Sequence, residues 1–462
     1  MSIKTRLLAN NVHLDLLLFN KLNRERYPFI LASSATKANN TQYDILFAFP
    51  QYSVTLNADK SLTCDDESIK LSKTFFETLE SLYQSNRSIE SNNTELPFSG
   101  GWFVYLSYEM AQEVEPSLSL PLLPAEQALA VAVRCPAAII YDKSSKQYTA
   151  IAESDYEYLL DDLVSDYQSV GTQSSFDLCS TNKIELEALL ESDAQPYLQQ
   201  VKKIKQYIKD GDIFQANLSR LWQATLKAET TDVDLFSHLA KQNPSSFAAM
   251  ACFDGMSIIS SSPERLVRLK NDIVETRPIA GTRPRNSIKQ NDDDLAKELL
   301  AHPKEQAEHI MLIDLERNDL GRVCRPGTIE VDELMVLESW EHVHHIVSNV
   351  RGELEKSKSP VDVLRAVFPG GTITGCPKVR CMEILAELEQ QARGAYTGSL
   401  GYINNDGSMD FNILIRTIVR SKNQLSFRAG GGIVNDSIAE DELEETRSKA
   451  KGLLKIFQLD ND

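Results

Sequence analysis

Short apolar runs and amphipathic helical patterns follow one another in irregular order along this chain, and that order constrains its fold more than any other feature. Tyr43–Phe49 and Ala128–Val133 are short apolar runs of the kind that forms buried strands. Met409–Val419 is predicted to be a further strand, and Pro303 to open a helix over about Lys304–Arg317. Pro196–Asp210 repeats apolar residues at helical spacing and ends at Gly211, which is typical of a helix. Because strands and helices do not alternate strictly, the sequence predicts an α+β fold rather than a doubly wound one.

The apolar runs also bear on the location of the protein. The longest one, Phe247–Phe253, is far shorter than the ~18 residues that a membrane helix requires. Near the N-terminus, Leu16–Phe19 is too brief for the core of a signal peptide. We therefore expect a cytoplasmic protein that has no membrane partner.

The charge balance narrows the class of ligand. The 48 Lys and Arg residues are outnumbered by 66 Asp and Glu residues, which gives a net charge of −18. Nucleic acids and anionic membranes require a basic surface, so neither is expected as a partner. An anionic small substrate is compatible with this charge if Arg, Lys, backbone N–H groups or a metal ion surround it.

Cysteine usage and polar stretches describe the organisation of the chain. The seven cysteines include no Cys-x-x-Cys pair, which indicates reduced thiols. The polar stretch Val170–Asn182 precedes a long helical pattern and indicates a domain boundary near residue 180. We therefore predict an N-terminal domain, 1–180, and a catalytic domain, 181–462.

Three glycine-containing turns lie in the C-terminal half, at Pro369–Lys378, Gly430–Gly432 and Pro278–Thr282. The first lacks the spacing of a Walker A loop, and the second lacks that of a dinucleotide-binding loop. Each turn is either an ordinary tight turn or a place where backbone N–H groups approach an anionic ligand. Three such turns in one half of the chain favour the second interpretation.

Ionisable residues in the same half have two interpretations each. Glu445 with Lys449 is an ordinary helical ion pair or, together with Glu308 on another helix, one of two Mg²⁺ ligands. Glu264 follows a proline in a tight turn, where a fixed and desolvated carboxyl can act as a general acid. His345 lies in an apolar run, where a histidine is more often a core residue than a catalytic one.

Taken together, these segments resemble the chorismate-utilising enzymes, the family of the anthranilate, aminodeoxychorismate, isochorismate and salicylate synthases. The resemblance implies a large mixed or antiparallel β-sheet core flanked by helices, as in anthranilate synthase component I. The matching segments are Gly211–Ser219, Ser262–Arg265, Thr276–Arg285, Ala307–Asp314, Arg317–Arg322, Val343–Ser348, Pro369–Arg380, Ile415–Thr417, Ala429–Val434 and Glu444–Lys449.

The resemblance implies a role for each residue singled out above. Mg²⁺ would lie between Glu308 and Glu445 and bind the ring carboxylate of chorismate. Glu264 would protonate the departing C4 hydroxyl group, with His345 beside it. The other implied substrate-binding residues are Gly281 and Thr282 at the ring carboxylate, Tyr396, Arg416 and Gly432 at the enolpyruvyl carboxylate, and Gly430 and Lys449 along the wall.

Four features of the sequence bear on which reaction is catalysed. Gln215 stands where the water-using isochorismate synthases have a lysine base, which favours ammonia as the nucleophile. The Pro369–Gly375 and Ala429–Gly432 segments resemble aminodeoxychorismate synthase component I, which makes 4-amino-4-deoxychorismate for p-aminobenzoate and folate synthesis. Ala280, however, replaces the usual lysine nucleophile of that enzyme, as in anthranilate synthase. Anthranilate synthase component I is therefore the alternative, and an inactive subunit or sensor homologue is a second one.

The source of ammonia is a further expectation. No cysteine lies in a Gly-x-Cys-x-Gly nucleophile turn, so the resemblance implies a separate glutamine amidotransferase subunit as partner. In this family the N-terminal domain can also hold tryptophan, as a regulatory or a structural ligand. Leu31–Ser34 is the segment of this chain considered for such a site.

Overall fold

The computed structural model describes residues 2–8, 14–33, 43–88, 95–172, 184–227, 229–285, 289–339 and 343–458, without the side chains at 282–284, 289–291, 293, 304, 343 and 458. The α-helices within these ranges are α1 (Leu17–Leu22), α2 (Phe75–Asn86), α3 (Ala111–Val114), α4 (Leu159–Thr172), α5 (Ala194–Asp210), α6 (Asp232–Gln242), α7 (Lys289–Ala301), α8 (Pro303–Leu320), α9 (Pro360–Val367), α10 (Lys378–Glu389) and α11 (Ala439–Leu454). No helix in this described part of the chain is both long enough and apolar enough to cross a membrane.

The strands form two large sheets. In chain order the strands are β1 (Ile3–Leu8), β2 (Phe29–Ala32), β3 (Tyr43–Ala48), β4 (Ser53–Asn57), β5 (Leu62–Cys64), β6 (Gly101–Leu106), β7 (Ala128–Cys135), β8 (Ala137–Asp142), β9 (Gln147–Glu153), β10 (Ile184–Glu191), β11 (Gln215–Leu226), β12 (Phe247–Cys252), β13 (Ser257–Ser262), β14 (Arg265–Lys270), β15 (Ile273–Thr276), β16 (Ile279–Pro284), β17 (Glu330–Ser339), β18 (Val343–Glu353), β19 (Gly375–Cys376), β20 (Ser399–Asn404), β21 (Met409–Asn412), β22 (Thr417–Ser421), β23 (Gln424–Ile433) and β24 (Phe457–Gln458).

The first sheet has 13 strands in the order β1-β9-β8-β3-β2-β12-β13-β22-β23-β11-β10-β24, with β19 also paired to β11. The second has 11 strands in the order β16-β18-β15-β14-β21-β20-β6-β7-β4-β5, with β17 also paired to β18. The short β10–β24 pair is parallel, whereas the long central pairs, such as β11–β23, are antiparallel. The predicted α+β fold with a large, mainly antiparallel sheet core is confirmed.

The two sheets pack face to face, and helices cover their outer faces. Phe29 of β2 stacks on Phe103 of β6 across the interface, with 4.2 Å between the ring centroids. Apolar residues of α1, α4 and α6 pack on the outer face of the first sheet. Those of α2 and α9 pack on the second. This arrangement buries a continuous apolar layer between the sheets, as in other sheet-on-sheet folds.

The chain passes between the sheets at two adjacent places. β13 belongs to the first sheet and β14 to the second, and β21 and β22 make the reverse passage. The sequence predicts one continuous strand over Met409–Val419, but the structure has two strands there. The interruption follows from pairing, because β21 pairs with β14 whereas β22 pairs with β13. Arg416, with φ at 51°, marks the break.

Strands from both sides of residue 180 contribute to each sheet. The first sheet joins β2 to β12, and the second joins β6 to β20. The predicted domain boundary near residue 180 lies outside the described residues. The division into 1–180 and 181–462 therefore stays a prediction, whereas the core is shared by both halves of the chain.

Candidate active site

Glu264 lies in the turn that carries the chain from β13 to β14. Its backbone carbonyl accepts a hydrogen bond from the Ile413 amide (3.0 Å), and its Oε1 accepts one from Thr372 Oγ1 (2.8 Å). The residue is only 6% exposed. Burial raises the pKa of its carboxyl to about 7, although the Thr372 hydroxyl and the charges of Arg416 and Lys449 act in the opposite direction. A carboxyl with this pKa is protonated in about half of the molecules at neutral pH, whereas an ordinary glutamate is ionised, so a proton is available for general acid catalysis.

Arg416 lies at the neighbouring passage between the sheets. Its backbone carbonyl accepts a hydrogen bond from the Ser261 amide (3.1 Å), which fixes the residue beside β13. Burial lowers the pKa of its guanidinium, and the Glu264 carboxyl counteracts this. Within the described residues no side chain forms an ion pair or hydrogen bond with this guanidinium, whose fork of donors matches a carboxylate.

His345 lies on β18, opposite Thr282 of β16. It is 5% exposed, and burial lowers the pKa of its imidazole to about 4, with a smaller contribution from the positive charge of Arg416. The imidazole is therefore neutral at physiological pH. The backbone of Thr282, another predicted site residue, belongs to the paired strand β16. Its side chain is not among those that the structure describes.

Ala280 and Gly281 precede Thr282 at an irregularity in the β16–β18 pairing. The Ala280 methyl group is buried, opposite Ile346. Gly281 has φ at 62°, and a Cβ there would lie 2.9 Å from both Glu305 Oε2 and Leu299 Cδ1. Only glycine fits this conformation and this space.

Glu308 and Glu445 reach one stretch of β23 from two helices. Glu308 on α8 accepts a hydrogen bond from Gln215 Nε2 (2.8 Å), and the Gln215 amide packs directly on Gly432. Glu445 on α11 lies beside the preceding residue, because a Cβ on Gly431 would be 3.2 Å from Glu445 Oε1. Both carboxylates are therefore connected to adjacent glycines of β23, Glu445 to Gly431 directly and Glu308 to Gly432 through the Gln215 amide.

This carboxylate pair fits Mg²⁺. The ion prefers hard oxygen ligands and takes only one or two protein carboxylates, completing its shell with water and substrate oxygens. In the described part of the chain no three His, Cys, Asp or Glu residues form a metal-binding group. Glu445 is half exposed, which leaves room for further oxygen ligands.

Gly430 is enclosed by two further predicted residues. Lys449 Nζ donates to the Gly430 carbonyl oxygen (2.9 Å) and forms an ion pair with Glu445 Oε1 (2.7 Å). On Gly430, a Cβ would lie 2.8 Å from Tyr396 Oη. Tyr396 is 6% exposed, and burial raises the pKa of its hydroxyl to about 12, so the hydroxyl stays a hydrogen-bond donor.

The structure brings the predicted site residues together. The charges of Arg416 and Lys449 act on Glu264, and Lys449 links this acid to the carboxylate pair. The predicted residues form three contact series. The first is Glu308, Gln215 and Gly432, and the second is Glu445, Lys449, Gly430 and Tyr396. The third is Glu264, Arg416, His345 and Gly281, and Ala280 and Thr282 flank Gly281 in the chain.

Glu316 is a buried carboxyl of α8 that sequence reasoning missed. It is 6% exposed, and burial together with the Asp319 carboxylate raises its pKa to about 8. Its Oε1 would lie 3.3 Å from a Cβ on Gly371, next to the Thr372 that holds Glu264. The spacing of eight residues from Glu308, about two helical turns, was the available signal.

A cavity of about 410 Å³ lies at the segment considered for tryptophan. Leu31 and Ser33 line it, together with Phe247, Leu400 and Tyr402. Ser34 falls outside the described residues. None of the residues that line this cavity belongs to the three contact series above, so it is a second candidate ligand site.

Comparisons with known proteins match most of this chain. The chorismate binding enzyme family matches residues 27–455. A Synechocystis protein named anthranilate synthase component I-like protein is 42% identical over 370 residues, which cover 79% of this chain and 74% of its own length. Aminodeoxychorismate synthase component 1 from Bacillus subtilis is 37% identical over 420 residues, covering 88% and 85%.

A solved structure gives the same result. The crystal structure of anthranilate synthase component I from Streptococcus pneumoniae TIGR4 has a TM-score of 0.76 and 29% identity, covering 90% of this chain and 93% of its own. The relatives carry the names of two different activities, so similarity alone does not separate them. On the extent of the family match and the identity to these relatives, the chain belongs to the chorismate-binding enzyme family.

Proposed function

We propose that this chain is a Mg²⁺-dependent aminodeoxychorismate synthase component I. It would aminate chorismate to 4-amino-4-deoxychorismate with ammonia supplied by a separate glutamine amidotransferase subunit. The observation that supports amination as the reaction concerns Gln215. Its Nε2 donates to Glu308, while its Oε1 is buried and has no hydrogen-bond partner within the described residues. An amide is not a general base for water, but this orphaned oxygen can accept an N–H of ammonia.

Binding of chorismate follows from charge. Chorismate is a dianion, and Arg416 offers a guanidinium without a carboxylate partner in the described part of the chain. Together with the Tyr396 hydroxyl it would hold the enolpyruvyl carboxylate, since a buried guanidinium gains most from a paired anion. The backbone of Gly281 would face the ring carboxylate.

Glu308 and Glu445 would hold Mg²⁺. When bound, the ion would neutralise the ring carboxylate and polarise the ring towards loss of the C4 hydroxyl. The role of the chain in this part of the site is to orient two carboxylates. The Gln215 amide fixes Glu308, and Lys449 fixes Glu445.

Glu264 would supply the proton for the leaving group. As the C4–O bond breaks, its electron pair leaves with oxygen, and the Glu264 proton converts the departing hydroxide to water. Ammonia would form a bond to C2 while the ring double bond shifts. A second ammonia would then attack C4 and expel the C2 amine, so that the net reaction consumes one ammonia and releases one water. Ala280 cannot act as the nucleophile, because it carries only a methyl group.

Anthranilate synthase is the second candidate, and Ala280 is the observation that favours it. The C2-aminated intermediate gives anthranilate if a base removes the C2 proton and pyruvate leaves. His345 is a weak base, because burial lowers its pKa to about 4. The aminodeoxychorismate outcome further requires that the Glu264 carboxylate does not reach the C2 proton, a difference of a few kcal/mol between competing barriers, each ~1.4 kcal/mol giving a tenfold preference.

Product identification tests the proposal. The purified chain is incubated with chorismate, ammonium and Mg²⁺, and the quenched reaction is separated by chromatography and analysed by mass spectrometry. We expect a product that aminodeoxychorismate lyase converts to p-aminobenzoate. Anthranilate formed without the lyase would assign the second candidate function instead.

We also propose that the cavity at Leu31 and Ser33 takes tryptophan. The aromatic side chains of Phe247 and Tyr402 offer stacking partners for an indole ring. A thermal shift series with tryptophan, and with phenylalanine as control, tests binding. Activity measured with and without tryptophan separates a regulatory role from a structural one.

A further inference from the structure

We infer that Arg393 is a positioning residue, whose buried guanidinium fixes three segments of the active site relative to one another. The inference rests on the proposed function of the site. Arg393 follows α10 and precedes Tyr396, and its side chain is 2% exposed. It does not belong to the groups predicted to touch chorismate.

The guanidinium is anchored by one carboxylate. Arg393 Nε donates to Glu389 Oε2 (2.9 Å), and Nη2 donates to Glu389 Oε1 (2.8 Å). Glu389 also accepts hydrogen bonds from the Ser219 amide and hydroxyl, both at 2.9 Å. This bidentate pair satisfies the charge of a buried arginine and fixes the plane of its fork.

The remaining donors reach the three segments. Nη2 donates to the Asn217 carbonyl (2.6 Å), two residues after Gln215 on β11. Nη1 donates to the Ile373 carbonyl (3.3 Å), directly after the Thr372 that binds Glu264. Nη1 also reaches Thr397 Oγ1 (3.4 Å), the residue after Tyr396.

The third contact continues towards Arg416. The Thr397 amide donates to the Leu414 carbonyl (2.7 Å), two residues before Arg416. The Arg393 guanidinium carbon also lies 4.7 Å from the Tyr108 ring centroid and 5.8 Å from that of Tyr396. One planar group therefore connects the segments that carry Gln215, Thr372 and Tyr396 directly, and reaches the segments of Glu264 and Arg416 through Thr372 and Thr397.

Lysine cannot replace this group. It has three donors on one nitrogen and lacks the planar fork, so it cannot reach Glu389 and the carbonyls of Asn217 and Ile373 together. The backbone contact of residue 393 is independent of its side chain, because its carbonyl accepts from the Tyr396 amide (3.2 Å). An R393K chain therefore keeps the backbone hydrogen bond with Tyr396 but loses the side-chain hydrogen bonds to the catalytic segments.

Arg428 provides a matched control. It is also buried, at 5% exposure, and its Nη2 donates to the same Glu389 (3.2 Å). Its other hydrogen bonds go to Ser219 Oγ and the Ala392 carbonyl. Ser219 lies on β11, four residues after Gln215, but in the described part of the chain Arg428 donates neither to the carbonyls of Asn217 and Ile373 nor to Thr397. R428K thus removes a comparable buried fork without removing the three contacts made by Arg393.

The experiment compares the two variants with ammonium and chorismate. We expect R393K to lower kcat by about 10- to 100-fold, because a misplacement of the reacting groups by about 1 Å can cost this much. The KM for chorismate should change by less than about fivefold, and R428K should keep kcat within about threefold. Thermal midpoints of both variants should fall by similar amounts. In R393A, guanidinium ion at millimolar concentration should restore part of kcat, whereas equal NaCl should not.

Other results would count against the inference. Equal kcat in R393K and R428K, or an R393K chain that is unfolded where R428K is folded, would assign Arg393 to general stability and overturn the inference. Absence of guanidinium rescue in a folded R393A chain would also count against it. If the wild-type chain does not turn over chorismate with ammonium, the proposed function itself fails, and this result is separate from any difference between the variants.

Discussion

Glu264 and Arg416 occupy two adjacent segments that pass together between the two sheets. The Ile413 amide donates to the Glu264 carbonyl (3.0 Å), and the Ser261 amide donates to the Arg416 carbonyl (3.1 Å), so each segment fixes the other. The predicted general acid, Glu264, and the predicted carboxylate-binding residue, Arg416, are thus positioned by hydrogen bonds between the same two backbone segments. Their charges also act on each other, because the Arg416 guanidinium lowers the pKa of Glu264 and the Glu264 carboxyl raises that of Arg416.

The pH dependence of activity should report the Glu264 proton. Its pKa is raised by burial to about 7, so the active, protonated form is present below this pH and is lost as pH rises through it. The Thr372 hydroxyl lowers this pKa, and T372V should therefore move the alkaline limb to higher pH. The measurement is kcat/KM for chorismate at constant free ammonia.

The control for that experiment is T372S, which keeps a hydroxyl donor and should leave the limb in place. A limb that moves to lower pH in T372V would contradict the assignment of Glu264 as the acid.

Replacement of either predicted metal ligand should abolish the Mg²⁺-dependent activity. E308Q and E445Q each replace a charged oxygen ligand with an amide, and each should lose most activity while the chain stays folded. Binding of Mn²⁺, followed by electron paramagnetic resonance, gives a readout other than activity. E440Q, on the exposed first turn of α11, is the matched control. Full activity of E308Q, or of the wild type in excess chelator, would remove the metal assignment.

Gly432→Ala should disturb the metal side of the site through Gln215. A Cβ at this position would meet the Gln215 amide, and the amide would have to leave its hydrogen bond with Glu308. We expect about a tenfold loss in kcat/KM, ~1.4 kcal/mol, and a higher Mg²⁺ requirement. The double variant G432A/Q215A should show no further loss beyond Q215A alone, because the two residues act on one contact. Strictly additive losses would show that Gln215 is not the group displaced.

Glutamine should support activity only after a glutamine amidotransferase subunit is added. The chain lacks a Gly-x-Cys-x-Gly nucleophile turn, so it has no recognisable means of hydrolysing glutamine. Ammonium at alkaline pH should suffice for the chain by itself, since the neutral amine is the nucleophile. Release of glutamate by the purified chain alone would reveal an activity that the sequence does not predict.

The fold class and most of the site could be predicted because they depend on local pattern. Pro303 at the start of α8 and Gly211 at the end of α5 mark helix ends that the structure reproduces. The order of motifs indicated the family, and the structure then brought Glu308 and Glu445 to one stretch of β23. Their roles as metal ligands stay predictions.

Long-range pairing decided the rest. The sequence predicted one strand over Met409–Val419, but pairing with β14 and β13 divides it between two sheets and places Arg416 at the break. Arg393 has no local signal of function. Its burial, and the carbonyls of Asn217 and Ile373 that it reaches, depend on segments far apart in the chain.

The sequence by itself therefore determined the family, the types of chemical group and the ends of helices such as α5 and α8, because spacing, glycine and proline act within a few residues. The glycines of two predicted turns, Gly281 and Gly430–Gly432, lie instead within strands β16 and β23, because these segments pair with β18 and β11. The tertiary structure alone decided the protonation of Glu264 and His345, the absence of an ion-pair partner for Arg416 among the described residues, and the anchoring role of Glu389. A pKa depends on desolvation and on charges brought from distant segments, and neither exists until the two sheets have packed.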